Sequence, residues 1–191
     1  MVLRRDSVLI NRILFSNVDH PRFPGISIYF QGCDINPKCT NCHNPQTWEF
    51  DDRYFVPYES LFQRIKKDLN LLFNVYDLVS LNFLGGEPLS EANRKAVKIL
   101  SKDIKELFGT KVIILLYSWR KPIEIYEQRL LNYVKYVDEF VLGRYFEKYK
   151  NPNSFPVTKN QLYMSREEFD KAIKKLIKKN GGDLYANHIQ L

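Results

Sequence analysis

Four segments of the chain have the hydrophobic pattern of β-strands. The first, residues 25–31, alternates apolar and polar side chains, and the third, 111–117, is apolar enough for a buried position in a parallel sheet. The other two predicted strands cover residues 78–84 and 137–143. Because helical segments separate the strands, the order is βαβαβαβ, which predicts an α/β fold with a parallel sheet and right-handed crossovers.

The segments between these strands carry apolar residues at helical spacing. We predict helices over residues 57–69, 90–108 and 122–134, the second capped by Ser90 and stopped by Gly109. In the first helix, the residues expected on the buried stripe are Leu61, Ile65 and Leu69. In the second, they are Ala92, Ala96, Ile99, Leu100, Ile104 and Leu107.

The pattern changes after the fourth predicted strand. Residues 144–164 are polar and contain Pro and Asn, and we expect a loop that folds back over the sheet. Ser165 and Glu168 have the spacing of a capping box, which predicts a final helix that ends at Gly181-Gly182.

Length and composition indicate one globular domain. The chain has 191 residues, of which 45% are hydrophobic, enough for a substantial core. We predict a single domain over residues 1–191, with a core at about 17–164 and a C-terminal helical extension at 165–191. The N-terminal segment lacks the apolar stretch of a signal peptide, no segment has a membrane-spanning apolar run, and the cysteine count is odd. We therefore expect a cytoplasmic protein.

The net charge of +7, from 29 Lys and Arg against 22 Asp and Glu, is compatible with a nucleic acid, an acidic partner protein or solubility alone. The densest basic run, 171–179, places its apolar residues at helical spacing, as in an amphipathic helix with a solvated lysine face. No recognisable nucleic-acid module surrounds it. We expect neither nucleic acid nor membrane as a partner.

All three cysteines lie within the short segment 32–44, at Cys33, Cys39 and Cys42. Three thiolates leave a tetrahedral metal, or one iron of a four-iron cluster, without a protein ligand, and a small molecule can bind at that vacancy. Three unrelated buried thiols would not explain such clustering. Consecutive residues rarely bind one metal, so we expect His43 to support the site rather than to ligate.

A second candidate segment, Gly85-Gly86-Glu87-Pro88, directly follows the second predicted strand. Paired glycines there allow a close approach of the backbone to a ligand, and they equally fit a tight turn between strand and helix. In a parallel α/β sheet, ligands bind beyond the carboxyl ends of the strands. Because the cysteine segment follows the first strand, both candidates are expected at the same edge of the sheet.

A cysteine loop after the first strand and a later strand ending in Gly-Gly-Glu-Pro together resemble the radical S-adenosylmethionine superfamily, which implies a partial (β/α) barrel-like sheet. The run 39–48 is similar to the Cys-x-Gly-Cys-His-Asn-Pro-x-Thr-Trp run of the activating proteins for anaerobic ribonucleoside-triphosphate reductase. The strand before Cys33, the segment 137–145 and the pair Asn160-Gln161 also resemble that family.

The resemblance implies a 4Fe-4S cluster and S-adenosyl-L-methionine as cofactors. The implied cluster ligands are Cys33, Cys39 and Cys42, with no further catalytic residue. Gly85, Gly86 and Glu87 would meet the amino group of the methionine moiety, whose positive charge requires carbonyl or carboxylate acceptors. Asn41, Tyr117 and Ser118 are the remaining candidates for cofactor contact.

In the implied reaction, the cluster reduces the sulfonium, and the resulting 5′-deoxyadenosyl radical abstracts a hydrogen atom from a backbone glycine of the partner. The implied partners are an anaerobic ribonucleoside-triphosphate reductase, which is a glycyl radical protein, and a flavodoxin-like or other low-potential electron donor.

The sequence departs from the superfamily pattern at the first cysteine spacing. Five residues separate Cys33 from Cys39, where the superfamily usually has three. Asn41 stands where many members have an aromatic residue near the adenine, and Leu142 precedes Gly143 where Asp is commoner. Two extra loop residues can form a bulge without moving the thiolates, so we expect cluster binding to be retained.

Three other functions are also compatible with these motifs. One is a different glycyl radical activase, and another is an enzyme resembling 7-carboxy-7-deazaguanine synthase, against which the tail of the cysteine run argues. The third is a structural zinc module that uses the three cysteines with His20 or His43. Without such a role, His20 and His188 are expected to be surface residues.

Overall fold

The computed structural model describes residues 7–179, which contain a mixed sheet of seven strands. The strands are β1 (Ser7–Ser16), β2 (Gly25–Phe30), β3 (Phe55–Pro57), β4 (Val79–Gly85), β5 (Val112–Ser118), β6 (Glu139–Leu142) and β7 (Leu162–Ser165). Their order across the sheet is β3-β1-β2-β4-β5-β6-β7. The helices are α1 (Tyr58–Leu72), α2 (Arg94–Phe108), α3 (Pro122–Glu127) and α4 (Arg166–Lys179).

The centre of the sheet is parallel, as the sequence predicts. Strands β2, β4, β5 and β6 pair in parallel and correspond to the four predicted strands. Helices lie between them along the chain, which confirms the α/β class and agrees with a partial radical S-adenosylmethionine-type barrel. All four strands therefore end at one edge of the sheet.

Both flanks of the sheet are antiparallel. Strand β1 pairs with β2 on one side and β3 on the other, and β7 pairs with β6. No strand is predicted for β1 or β3, the last residue of β3, Pro57, falls at the start of the helix predicted over 57–69, and most of β7 falls inside the loop predicted at 144–164. In β1, Val8, Leu9 and Ile10 are all buried whereas Leu14 and Phe15 are exposed, so the strand lacks the alternation that identifies half-buried strands.

The main hydrophobic core lies between the helices and one face of the sheet. Strand residues such as Phe83 and Leu116 pack there with the helices. The predicted stripe of α1 is confirmed, because Leu61, Ile65 and Leu69 are all buried. The successive residues of each strand alternate between the two faces, and polar residues on the opposite face are Ser27, Asn82 and Glu139.

Helix α2 differs from its prediction at the N-terminus and in its buried stripe. It begins at Arg94 with Asn93 in the N-cap position, and the predicted cap, Ser90, lies one turn earlier. Ala92, Ile99 and Leu107 are exposed, whereas Val97 and Ser101 join Ala96, Leu100 and Ile104 in the buried set. The predicted stop is confirmed: Gly109 has φ of 56°, a left-handed conformation that favours glycine.

The other two helices also differ in part from their predictions. Helix α3 ends at Glu127, before the predicted limit at Val134, and a short 3₁₀ turn follows at Leu131–Tyr133. Helix α4 packs on the core through Phe169 and Ile173. Its predicted capping box is present, since the Ser165 backbone N–H donates to Glu168 at 2.8 Å.

Some predictions about the C-terminal segment fall outside the described residues. These are the end of the last helix at Gly181-Gly182 and the surface position of His188. Among residues 7–179, none of the helices is both long and apolar enough to cross a bilayer.

Candidate functional site

The cysteine loop, residues 32–44, follows the end of β2, and its first residues are hydrogen-bonded to residues that come after the loop. Gly32, with φ of 91°, turns the chain, and its N–H donates to the Thr47 carbonyl at 2.9 Å. The N–H of Cys33 donates to the Trp48 carbonyl at 3.0 Å. Backbone hydrogen bonds therefore hold the two ends of the loop together.

Two cations bind carbonyl groups inside this loop. Arg144, which follows β6, donates from Nη2 to the carbonyls of Pro37 at 2.6 Å and Lys38 at 2.8 Å. Lys38 donates in turn to the carbonyl of Cys33. These contacts fall between Cys33 and Cys39, where the loop is longer than usual in the superfamily. The extra length is thus an ordered bulge.

The polar segment before β7 supports Arg144 in this position. Asn160 donates from Nδ2 to the Arg144 carbonyl at 2.7 Å, and Gln161 donates from Nε2 to the Gly143 carbonyl at 3.0 Å. The two family-like segments of the sequence, 137–145 and 160–161, are therefore in direct contact.

The glycine turn after β4 packs against the cysteine loop. The N–H of Gly86 donates to the Phe30 carbonyl at 2.9 Å, and that of Glu87 donates to the Gly32 carbonyl at 2.8 Å. A Cβ atom on Gly86 would lie 2.3 Å from the Gly32 oxygen, which no side chain tolerates. The glycine is needed because two segments of this chain approach each other closely at this turn.

Glu87 is 1% exposed, and four groups donate to its carboxylate. Oε1 accepts from the Leu89 N–H at 2.9 Å and the Ser118 hydroxyl at 2.8 Å, and it lies 3.2 Å from the Arg120 guanidinium. Oε2 accepts from the Trp119 N–H at 3.1 Å. Burial raises the pKa of Glu87 to about 7, although the charge of Arg120 opposes this effect.

A cavity of about 310 Å³ opens where the four parallel strands end, within the size range of small-molecule sites. Of the predicted site residues, eight line it: Cys33, Cys39, Cys42, Gly85, Gly86, Glu87, Tyr117 and Ser118. Asn41 is not among the lining residues. Its side chain is exposed and donates to Glu147 instead.

The three cysteines are free thiols, with Cys33 and Cys39 buried. Burial raises the pKa of Cys33 to about 12, and it also raises the pKa of Cys39, although the nearby charge of Arg144 opposes this. The Asn44 N–H donates to Cys42 Sγ at 3.4 Å. Hydrogen bonds of this kind to cysteine sulfur help to set the reduction potential of iron-sulfur clusters.

The donor set suits a cluster better than a single ion. Within residues 7–179, no group of three His, Cys, Asp or Glu side chains is arranged to hold one metal ion. In a four-iron cluster each thiolate binds a different iron, so its ligands lie further apart around a common cavity. The Tyr145 side chain lines this cavity, and its hydroxyl is buried without a partner in the described part of the chain. Such a hydroxyl fits a site that receives a further polar group.

The prediction that His20 is a surface residue is wrong. It is 3% exposed, its Nδ1 accepts from the N–H groups of Arg22 and Phe23 at 3.1 Å each, and its Nε2 lies 3.1 Å from Glu139. Both ring nitrogens are therefore used, which argues against His20 as a zinc ligand. His43 contacts the Tyr145 ring, with centroids 4.6 Å apart.

The residues directly after β5 belong to the site, although the sequence motifs did not indicate them. Trp119 lines the cavity, and its indole Nε1 donates to Asp34 at 2.8 Å. Arg120 pairs with both Asp34 and Glu87. The one local signal was the position of Trp119-Arg120 directly behind the candidate contact Ser118, at the carboxyl end of a parallel strand.

Comparison with known families indicates the cofactor that this part of the chain binds. A family model described as a 4Fe-4S single cluster domain, which is found in radical S-adenosylmethionine-type proteins, matches residues 24–164. These residues include all three cysteines and the glycine turn. No curated protein matches the chain significantly. The match supports a 4Fe-4S cluster as the cofactor.

Proposed function

The chain belongs to the family of 4Fe-4S single cluster domains, and from this membership we propose that it is a radical S-adenosylmethionine enzyme. We propose further that it is the activating enzyme of an anaerobic ribonucleoside-triphosphate reductase, on which it generates a glycyl radical. The proposal rests mainly on one observation: the three free cysteines line the same cavity as Gly85, Gly86 and Glu87.

In this proposal Cys33, Cys39 and Cys42 hold the cluster, and one iron remains open for the amino and carboxylate groups of S-adenosylmethionine. When bound, the cluster supplies one electron for the reductive cleavage of S-adenosylmethionine, which permits hydrogen abstraction from a glycine of the partner. The protein's task is to bind, orient and enclose the reactants.

Glu87 is suited to the ammonium group of the methionine moiety. Its Oε1 accepts from two hydrogen-bond donors and lies beside Arg120, whereas among residues 7–179 the donor to Oε2 is the Trp119 N–H alone. Because a carboxylate oxygen can accept two hydrogen bonds, Oε2 has room for one more donor. The carboxylate is already fixed in orientation, so little rotamer entropy is lost when a ligand binds.

The rim of the cavity is suited to a peptide segment. Val18 and Val157 line the cavity, although 81% and 38% of these residues are exposed. These two exposed apolar side chains can contact a glycine-containing loop of a partner protein without desolvating a charge of their own. This supports a macromolecular substrate.

The first test of the proposal is the cluster itself. Protein purified without oxygen should be brown, with visible absorption that bleaches on reduction by dithionite, and it should cleave S-adenosylmethionine to 5′-deoxyadenosine and methionine. Cys39→Ala should lose the cleavage, whereas Thr40→Ala, an exposed neighbour in the same loop, should retain it. A colourless protein, or cleavage by Cys39→Ala at the wild-type rate, would contradict the proposal.

The second test concerns the partner. The reduced protein is mixed with S-adenosylmethionine and an anaerobic ribonucleoside-triphosphate reductase, and electron paramagnetic resonance should show the doublet of a glycyl radical. Cleavage of S-adenosylmethionine without this signal on a competent reductase would reject the reductase as substrate. It would favour a different radical enzyme of the same superfamily.

A further inference from the structure

A buried polar chain joins Glu87 to the cysteine loop through Arg120, which is 5% exposed. The Arg120 guanidinium contacts the carboxylate of Glu87 at 3.2 Å and that of Asp34 through Nη1 and Nη2. Its Nε donates to Gln128 at 2.7 Å. One side chain therefore contacts the glycine turn, the cysteine loop and the segment after α3.

Asp34 is the residue directly after Cys33, so its position is coupled to that of the first cysteine. Besides Arg120, it accepts a hydrogen bond from the Trp119 indole at 2.8 Å. The Trp119 ring also lies under the guanidinium, with Arg120 Cζ 4.4 Å from the ring centroid. Trp119 and Arg120 thus both donate hydrogen bonds to the Asp34 carboxylate, and they also contact each other.

We propose that Arg120 is a positioning residue for binding of S-adenosylmethionine: it fixes the Glu87 carboxylate relative to the cysteine loop. This inference rests on the proposed function, because it assigns Glu87 to the ligand's ammonium group. The carboxyl groups of Glu87 and Asp34 both contact the Arg120 guanidinium, so Arg120 also holds these two acidic side chains close together.

The geometry requires arginine rather than any cation. A guanidinium presents five N–H donors in a planar fork, and Arg120 uses Nε, Nη1 and Nη2 on three different acceptors. A lysine ammonium is a point charge on a flexible stem, and it cannot reach the three acceptors in that fixed arrangement. Arg120→Lys therefore keeps the charge and removes the positioning.

The test compares Arg120→Lys with wild type in the cluster-loaded protein. Dissociation constants for S-adenosylmethionine are measured by equilibrium dialysis against the unreduced protein, so that no turnover is needed. We expect binding that is weaker by about tenfold to a hundredfold, the range for a lost hydrogen bond to a charged group. Iron content should stay at the wild-type level, because all three cysteines remain.

Arg166→Gln is the control, since Arg166 is partly buried and donates to the Val137 carbonyl below α4, away from the cavity lining. It should lower stability and leave the affinity for S-adenosylmethionine unchanged. Trp119→Phe removes the indole donor to Asp34 and keeps an aromatic ring at that position, so it provides a variant that folds if Arg120→Lys does not. We expect it to weaken binding severalfold.

The outcomes separate this inference from the proposed function. If wild type binds S-adenosylmethionine and both Arg120→Lys and Trp119→Phe bind it equally well, the positioning role is refuted and the proposed function stands. If wild type loaded with cluster does not bind S-adenosylmethionine, the proposed function itself fails. Weaker binding by Arg166→Gln of the same size as by Arg120→Lys would show a general loss of structure and would also refute the positioning role.

Discussion

Replacement of Gly86 by alanine tests the close approach between the glycine turn and the cysteine loop. The new Cβ would lie 2.3 Å from the Gly32 oxygen, 2.8 Å from the Gly32 carbonyl carbon and 2.9 Å from the Thr47 oxygen. All three neighbours are backbone atoms, so no flexible side chain can move aside. The turn must therefore separate from the loop.

The expected loss of stability has two sources. Overpacking of a buried contact destabilises by about 1–3 kcal/mol. Separation also weakens the hydrogen bond from the Glu87 N–H to the Gly32 carbonyl, 2.8 Å long, which contributes about 0.5–1.5 kcal/mol. We expect Gly86→Ala to lower the free energy of unfolding by about 1.5–4.5 kcal/mol, from the sum of these ranges. The cluster-loaded protein should also contain less iron per chain.

Gly109→Ala is the control for the substitution itself. Gly109 has φ of 56°, and within the described part of the chain a Cβ atom added there would meet nothing within 4 Å beyond its chain neighbours. Gly109 also has ψ of −128°, so alanine at this position adds backbone strain of about 1–3 kcal/mol without a clash. Both variants are unfolded with urea in the cluster-free form and followed by far-ultraviolet circular dichroism. A Gly86→Ala variant as stable as wild type, or one that keeps the iron content of Gly109→Ala, would refute the reasoning.

Two further predictions concern buried polar groups. Since burial raises the pKa of Glu87 from 4.5 to about 7, the folded protein holds this proton more tightly, and its stability relative to Glu87→Gln should fall by about 3 kcal/mol as pH rises through that interval. Urea titrations of both cluster-free proteins measure this difference, and a difference independent of pH would contradict the assignment. His20→Ala leaves the backbone N–H groups of Arg22 and Phe23 without their acceptor and removes one of the three partners of Glu139, which also pairs with Arg22 and Tyr163. We expect it to destabilise the protein by about 2–4 kcal/mol. Exposed Lys174→Ala serves as its control in the same assay, with an effect within about 0.5 kcal/mol, and equal effects of the two variants would indicate a surface role for His20.

The parallel centre of the fold was predictable because its signals are local. Strands such as β4 and β5 are short apolar runs bounded by polar or glycine residues, and helices fill the intervals between them. The antiparallel flanks have no such signal, since the burial of β1 does not alternate. In α2, the apolar positions were compatible with more than one helical face, and only packing on the sheet distinguishes Val97 from Ile99.

The same distinction holds for the candidate site. The cysteines and the glycine turn were predictable as neighbours because each directly follows a parallel strand, and chain topology alone brings them together. The contacts of Arg120 and Arg144 could not be predicted in this way. Arg120 lies 86 residues from Asp34, and Arg144 lies 106 residues from Lys38. Such pairs depend on tertiary structure, and an isolated arginine in the sequence does not indicate which carbonyl or carboxylate it will bind.

The cations bound to the cysteine loop bear on how the protein acquires its metal. Arg144 and Lys38 hold loop carbonyls, and Gly32 and Cys33 pair with residues further along the loop, all through contacts within the protein. Ordering a residue's backbone costs about 1–2 kcal/mol, and these contacts within the protein offset that cost for part of the loop. Less of the cost therefore falls on the bonds between thiolate and iron.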